Sequence, residues 1–180
     1  MRKILQRLNG KGLTLIEITI VVFLFSIIMA AMFSVLATGR SSWDAGESQI
    51  GVQQAARNGL DSMIKELRQA ATSTIIGVPL DGAAYNSITF QIPASISEAG
   101  ITWSSNIQYS LGGLNGKQLV RTQAGSQTVL ANNISALSFS RGAANPDVIN
   151  ISIAAQKSTI PGFSARQSTT TLNSQVRLRN

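Results

Sequence analysis

The chain has 180 residues, 44% of them hydrophobic, with 15 Lys and Arg against 8 Asp and Glu for a net charge of +7. That length holds one domain plus an anchor rather than two full domains. Cysteine and histidine are both absent, which excludes disulfides, thiolate metal sites and Ser-His-Asp or Cys-His catalysis, and removes the commonest general base and metal ligand.

The positive charge is uneven. Arg2, Lys3, Arg7 and Lys11 precede a run from Ile18 to Ala37, ITIVVFLFSIIMAAMFSVLA, that contains no charge, Gly or Pro. A helix of that length spans roughly 30 Å, the thickness of a bilayer core. The basic flank then puts the N-terminus in the cytoplasm and the chain after Gly39 outside. The basic balance is topogenic more than a sign of nucleic-acid binding. A plain signal-anchor and a cleaved secretory signal ending at Val35-Leu36-Ala37 both fit the run, although a cleaved signal has a shorter apolar core. Neither accounts for Glu17, a lone carboxylate at the edge of the run, where an unpaired acid is costly.

Gly12-Leu13-Thr14-Leu15-Ile16-Glu17 after a short basic leader resembles the processing site of type IV prepilins and type II secretion pseudopilins. The resemblance implies that a prepilin peptidase cuts between Gly12 and Leu13 and that Leu13, where the family usually has Phe, becomes N-methylated. Glu17 then takes the place of the family's glutamate, which is thought to pair with the terminal amine of a neighbouring subunit and to set its axial register. Two unit charges about 4 Å apart attract by about 4 kcal/mol at an effective dielectric near 20. Ser26, Ala30, Ser34 and Thr38 recur at four-residue spacing, a candidate face for close helix packing. No proline interrupts the segment, so the helix is expected to run unbroken.

From Arg40 to Thr74 the chain turns polar. Apolar residues at Ile50, Leu60, Met63, Ile64, Leu67 and Ala71 recur mostly at helical steps, and Asp61 and Lys65 stand four apart in the favourable order. Gly46, Gly51 and Gly59 weaken the pattern and offer places to bend. The expected organisation is a cleaved leader over 1–12, a transmembrane helix over 13–38, an amphipathic continuation over 39–74 and a β-rich head over 75–180.

In the head the period switches to two. Six strands are expected: around Ile88 to Ile92, stopped by Pro93; Ile107 to Leu111; Gln118 to Arg121 after a Gly112 to Gly116 turn; Leu137 and Phe139; Ile149 to Ile153; and Leu172 to Leu178. Pro79 to Asn86, Ala94 to Ser105 and Gln156 to Ser168 read as loops. The fold class is α+β, a long N-terminal helix packed on an antiparallel sheet. The segments from Ile107 to Gln123, from Val129 to Ser140 and from Thr169 to Asn180 resemble W-type minor pilins and the J-type minor pseudopilin, in which Tyr109, Leu111, Leu119 and Arg121 would form a hairpin and the chain ends near Arg-Asn, as at Arg179-Asn180.

Catalytic chemistry is sparse. Asp81, Glu98 and Asp147 are the only acids after Thr74 and read as solvated loop residues, so no metal site or cofactor is expected. GGLNGK at Gly112 to Lys117 lacks Walker A spacing and reads as a hairpin turn. Lys117, Arg121, Arg141, Lys157, Arg166, Arg177 and Arg179 are dispersed, and Tyr109 and Phe139 read as core, which disfavours nucleic acid as a partner. Trp43 reads as an interfacial or helix-packing residue. The expected function is structural and not enzymatic: a minor subunit in the bacterial inner membrane, head periplasmic, with no small-molecule substrate. Its implied partners are the prepilin peptidase, other minor and major pilins or pseudopilins, and the inner-membrane assembly platform. A pilus-tip adhesin or DNA-uptake receptor on the same anchor is the alternative.

Overall fold

A computed structural model describes residues 14–98, 100–158 and 167–179. The chain divides into two units, Met1–Trp43 and Asp44–Asn180. One α-helix, α1 (Leu15–Leu67), begins in the first and ends in the second, and none of Gly39, Gly46, Gly51 or Gly59 interrupts it.

Within the first unit the helix carries its apolar residues outward. An 18-residue window of α1 reaches a mean hydropathy of 2.8 with none of it buried, so the helix is long and apolar enough to cross a membrane. Trp43 is also exposed.

Within the second unit α1 buries one stripe, Ser48, Val52, Ala56, Gly59, Leu60, Met63 and Leu67. The steps of three and four are those of a single helix face laid on a sheet. Ile50, expected on that stripe, lies off it and is exposed. The helix stops at Leu67, short of the expected Thr74. The next backbone groups have other partners: Ala70 accepts a hydrogen bond from the Arg179 amide at 3.0 Å, and Ala71 pairs with Arg179 in a parallel bridge. β-Branched Thr72 and Thr74 then form a 3-10 turn, Thr72–Thr74.

Among the described residues nine strands follow: β1 (Ser87–Phe90), β2 (Pro93–Ser97), β3 (Gly100–Trp103), β4 (Ile107–Gly112), β5 (Gln118–Gln123), β6 (Ser126–Asn132), β7 (Ile134–Ser140), β8 (Val148–Ser158) and β9 (Gln167–Arg177). They form antiparallel sheets of order β1-β4-β5-β6, β2-β3 and β7-β8-β9. The architecture is α+β, the helix packing on antiparallel sheets. The expected β4–β5 hairpin is present, with Tyr109 opposite Arg121 and Leu111 opposite Leu119.

Three expectations need correction. β1 ends at Phe90, ahead of Pro93 as expected, but Pro93 at once opens β2, since a proline is tolerated as the first residue of a short strand that pairs on one side. The expected loop from Ala94 to Ser105 therefore holds most of the β2–β3 hairpin. β6 was not expected at all. It follows the two-residue turn Ala124-Gly125, in which both residues have positive φ, 50° and 82°. That is the backbone of a tight hairpin turn, but Ala replaces the Asn or Asp that usually announces one. β8 and β9 also run into the expected loop from Gln156 to Ser168, reaching Ser158 and starting at Gln167.

The core joins the helix to both larger sheets. Phe90, Tyr109, Leu119, Phe139, Ile149, Ile151 and Ile153 are buried with Met63 and Leu67. Gly59 marks the closest approach: a Cβ there would lie 2.7 Å from Leu119 Cδ2 and 3.2 Å from Ala131 Cβ. The residue that looked like a helix weakness lets the backbone meet the sheet.

Candidate functional site

The sequence directs attention to the start of α1. Gly12 and Leu13, the expected cleavage and methylation positions, lie outside the described residues. Thr14 is the N-cap, its carbonyl accepting from the amides of Glu17 at 3.0 Å and Ile18 at 3.2 Å. The two side chains reciprocate. Thr14 Oγ1 accepts from the Glu17 amide at 3.3 Å, and Glu17 Oε2 accepts from the Thr14 amide at 3.2 Å. The Thr14 hydroxyl also donates to Glu17 Oε2 at 3.3 Å.

This Thr-x-x-Glu arrangement is a capping box, which satisfies two of the amides that a helix start leaves without partners. The reading of Glu17 as an acid without local purpose is incomplete, because its carboxylate already serves its own helix. It also sits in the first turn, where the helix dipole favours negative charge. Both residues are exposed, so the carboxylate remains open to a further cation.

Ser26, Ala30, Ser34 and Thr38 are exposed along the apolar segment. The Ser26 hydroxyl donates to the Phe23 carbonyl at 2.7 Å and that of Thr38 to the Ser34 carbonyl at 3.0 Å. These two hydroxyls are satisfied by their own helix and need no partner from a neighbour.

In the head, the polar feature that sequence reading missed is centred on Glu66. Its carboxylate accepts from Arg121 Nε at 2.9 and 3.0 Å and from the Tyr109 hydroxyl at 2.8 Å. Arg121 Nη2 donates to Gln123 Oε1 at 2.7 Å. Burial, reinforced by the Glu66 hydrogen bond, pushes the Tyr109 phenol far above its ordinary range. Burial alone would lower the Arg121 guanidinium, but Glu66 and Tyr109 outweigh it and hold it charged. The group ties the last turn of α1 to β4 and β5.

The three loop acids are not equivalent. Asp81 accepts from the Ala83 amide at 2.8 Å and from the Tyr85 hydroxyl, whose hydrogen bond is the main cause holding its carboxyl below the usual range. Asp147, expected to be solvated, is only 17% exposed and pairs with Arg177 at 2.6 Å. Glu98 is exposed beside the β2–β3 turn. Among the described residues no three His, Cys, Asp or Glu side chains gather where a metal could bind.

The GGLNGK turn is no phosphate cradle either. Its hollow is filled by Gln118, whose Oε1 accepts from the Leu114 amide at 3.1 Å and lies 1.8 Å from where a Cβ of Gly113 would fall. Three of the head's positive residues are engaged within it: Arg121 and Arg177 are in ion pairs, and Arg141 is 8% exposed and donates to the Thr72 carbonyl. A concavity of about 520 Å³ on the β7-β8-β9 sheet is lined by Ser138, Ser140, Asn150, Ser152, Asn173 and Gln175. These are neutral groups with no nucleophile-base pair among them.

No protein-family model, curated protein or solved structure matches the chain. Any functional reading therefore rests on the residues themselves.

Proposed function

We propose that the chain is a minor pilin or pseudopilin-like subunit. It is cut between Gly12 and Leu13 by a prepilin peptidase, held by α1 as a single-pass protein of the bacterial inner membrane with a periplasmic head, and assembled through that helix at the tip of a type IV pilus or secretion pseudopilus. The carrying observation is Glu17, an exposed carboxylate at the first turn of a membrane-capable apolar helix, directly after the Gly12-Leu13 motif. Cleavage places a positive amine at Leu13. Glu17 then has two functions on this reading: its hydrogen bond from the Thr14 amide orders the helix start, and its free lone pairs meet the amine of a neighbouring subunit. The α+β head, its sheets packed on the end of the same helix, is consistent with a subunit built around that helix.

The test is N-terminal mass analysis of the full chain expressed with and without the peptidase. The expected result is loss of residues 1–12 and gain of one methyl group only when the peptidase is present; an intact leader in both strains overturns the reading. Glu17→Ala is expected to insert normally and to lose co-purification with partner pilins, and undiminished co-purification counts against the pairing role.

A further inference from the structure

The two larger sheets end in edge strands of very different character. β6 closes the four-stranded sheet with seven residues and carries a bulge: Leu119 pairs with Ala131 and Val120 with Val129, leaving Leu130 as an extra residue. A bulge twists an edge and spoils it as a template for another strand. β9 closes the three-stranded sheet with eleven residues, all paired to β8 from Gln167↔Ser158 to Arg177↔Val148 without a register shift. From Gln167 to Val176 it reads QSTTTLNSQV, with no proline and no charge. No other described strand pairs with it along this length. Proteins ordinarily protect such an edge with charge, proline, a bulge or brevity, and β9 has none of these over ten residues.

We propose that the β9 edge is an interface, and that its occupant is β9 of a second copy of this chain, paired antiparallel about Leu172. The strand is self-complementary in that register. Gln167 falls opposite Arg177, Thr169 opposite Gln175, Thr170 opposite Ser174 and Thr171 opposite Asn173. On the exposed face each polar side chain meets another hydroxyl or amide, and the one charge, Arg177, meets an amide instead of its own copy; on the opposite face Ser168 falls opposite Val176. The register centred on Leu172 is the one that pairs all of Gln167 to Arg177, and it keeps the two Arg177 side chains at opposite ends. The interface is isologous, so it closes as a pair instead of propagating. Two three-stranded sheets become one six-stranded sheet. Thr169, Thr171, Asn173 and Gln175 lie exposed on one face of β9, where cross-strand partners can meet and where substitutions leave the core alone.

The absence of cysteine from the chain allows a clean test with the full chain reconstituted in lipid vesicles and a short bis-maleimide cross-linker. Chains carrying Thr169→Cys are mixed with chains carrying Gln175→Cys, positions that face each other in this register. In either variant alone the two cysteines lie about 20 Å apart, six residues along the strand. The mixture is expected to cross-link at least about tenfold more than either variant alone. Adding Thr171→Lys and Asn173→Lys to both chains places like charges opposite one another and is expected to reduce the yield by a similar factor. Changing the same two positions to Glu in one chain and Lys in the other is expected to restore it, which excludes misfolding as the cause of the loss. No cross-linked dimer, equal yields from single variants and mixture, or a dimer indifferent to the charges overturns the proposal. The last outcome would place self-association on the apolar helix instead.

Discussion

Glu17 and Glu66 are acids of the same helix, and they are satisfied in opposite ways. Glu17 is held by the backbone and side chain of Thr14, three residues away, and is exposed. Glu66 reaches Tyr109 and Arg121, 43 and 55 residues away in sequence, and is about three-quarters shielded, with 26% of its side chain exposed. A local partner serves a helix that has no protein around it, and a distant partner serves a helix that must be fixed to a sheet. The stretches around them differ accordingly. Around Glu17 the apolar residues are all exposed, and around Glu66 they enter the core through Met63 and Leu67.

The contrast is broken most strongly at Glu66. Glu66→Ala leaves the Arg121 guanidinium and the buried Tyr109 hydroxyl without their acceptor. Removing one member of a shielded ion pair strands the other, and the expected loss is about 2–4 kcal/mol of head stability, less than a fully buried pair because Arg121 keeps some solvent. Chemical denaturation of the full chain in detergent, followed by Trp103 fluorescence, measures it. A loss below about 0.5 kcal/mol would mean that the group behaves as a surface pair.

The glycines of α1 sharpen the comparison with effects of opposite sign. Gly46 and Gly51 have nothing near a would-be Cβ, whereas Gly59 faces Leu119 and Ala131. Replacement by Ala at either open position is expected to stabilise the helix by about 0.5–1 kcal/mol, the usual penalty of a mid-helix glycine removed. Gly59→Ala gains the same propensity, but its methyl group must displace a fully buried Leu119. The net expectation is a loss of about 1–2 kcal/mol, since overpacking costs about 1–3 kcal/mol. Thermal unfolding of the three variants side by side checks the sign, and a stabilised Gly59→Ala would mean that Leu119 can turn aside freely.

These two cases also show what was legible in the sequence. The apolar run, the alternating strands and the Tyr109–Arg121 hairpin are local patterns of period, length and turn, and they were readable as such. Gly59 and Glu66 were not. Each looks ordinary within its own helix and acquires meaning from residues the chain reaches only after several strands. Arg121 was singled out for its place in a hairpin, yet nothing in its neighbourhood announces a carboxylate from the helix. β6 was lost because Ala124 occupies a positive-φ turn position usually given to Asn or Gly. At the helix start Thr14-x-x-Glu17 is a local capping pattern, but the same carboxylate at the edge of an apolar run also reads as half of an intermolecular pair, so one residue carries two signals.

That bond carries the smallest of the expected effects and separates the capping role of Glu17 from its proposed pairing role. Thr14→Ala removes the hydroxyl that caps the Glu17 amide and keeps the backbone amide that bonds Glu17 Oε2. Loss of an N-cap typically costs about 0.5–2 kcal/mol. Here only the first turn should respond, so hydrogen exchange at the amides of Glu17 and Ile18 is expected to quicken by about threefold to tenfold while the head is unchanged. Thr14→Ser restores the acceptor and should restore protection. If Thr14→Ala leaves exchange unaltered, the carboxylate of Glu17 holds the helix start without its threonine, and the two acids differ less than their surroundings suggest. If exchange quickens but partner recruitment persists, capping and pairing are separable functions of one carboxylate.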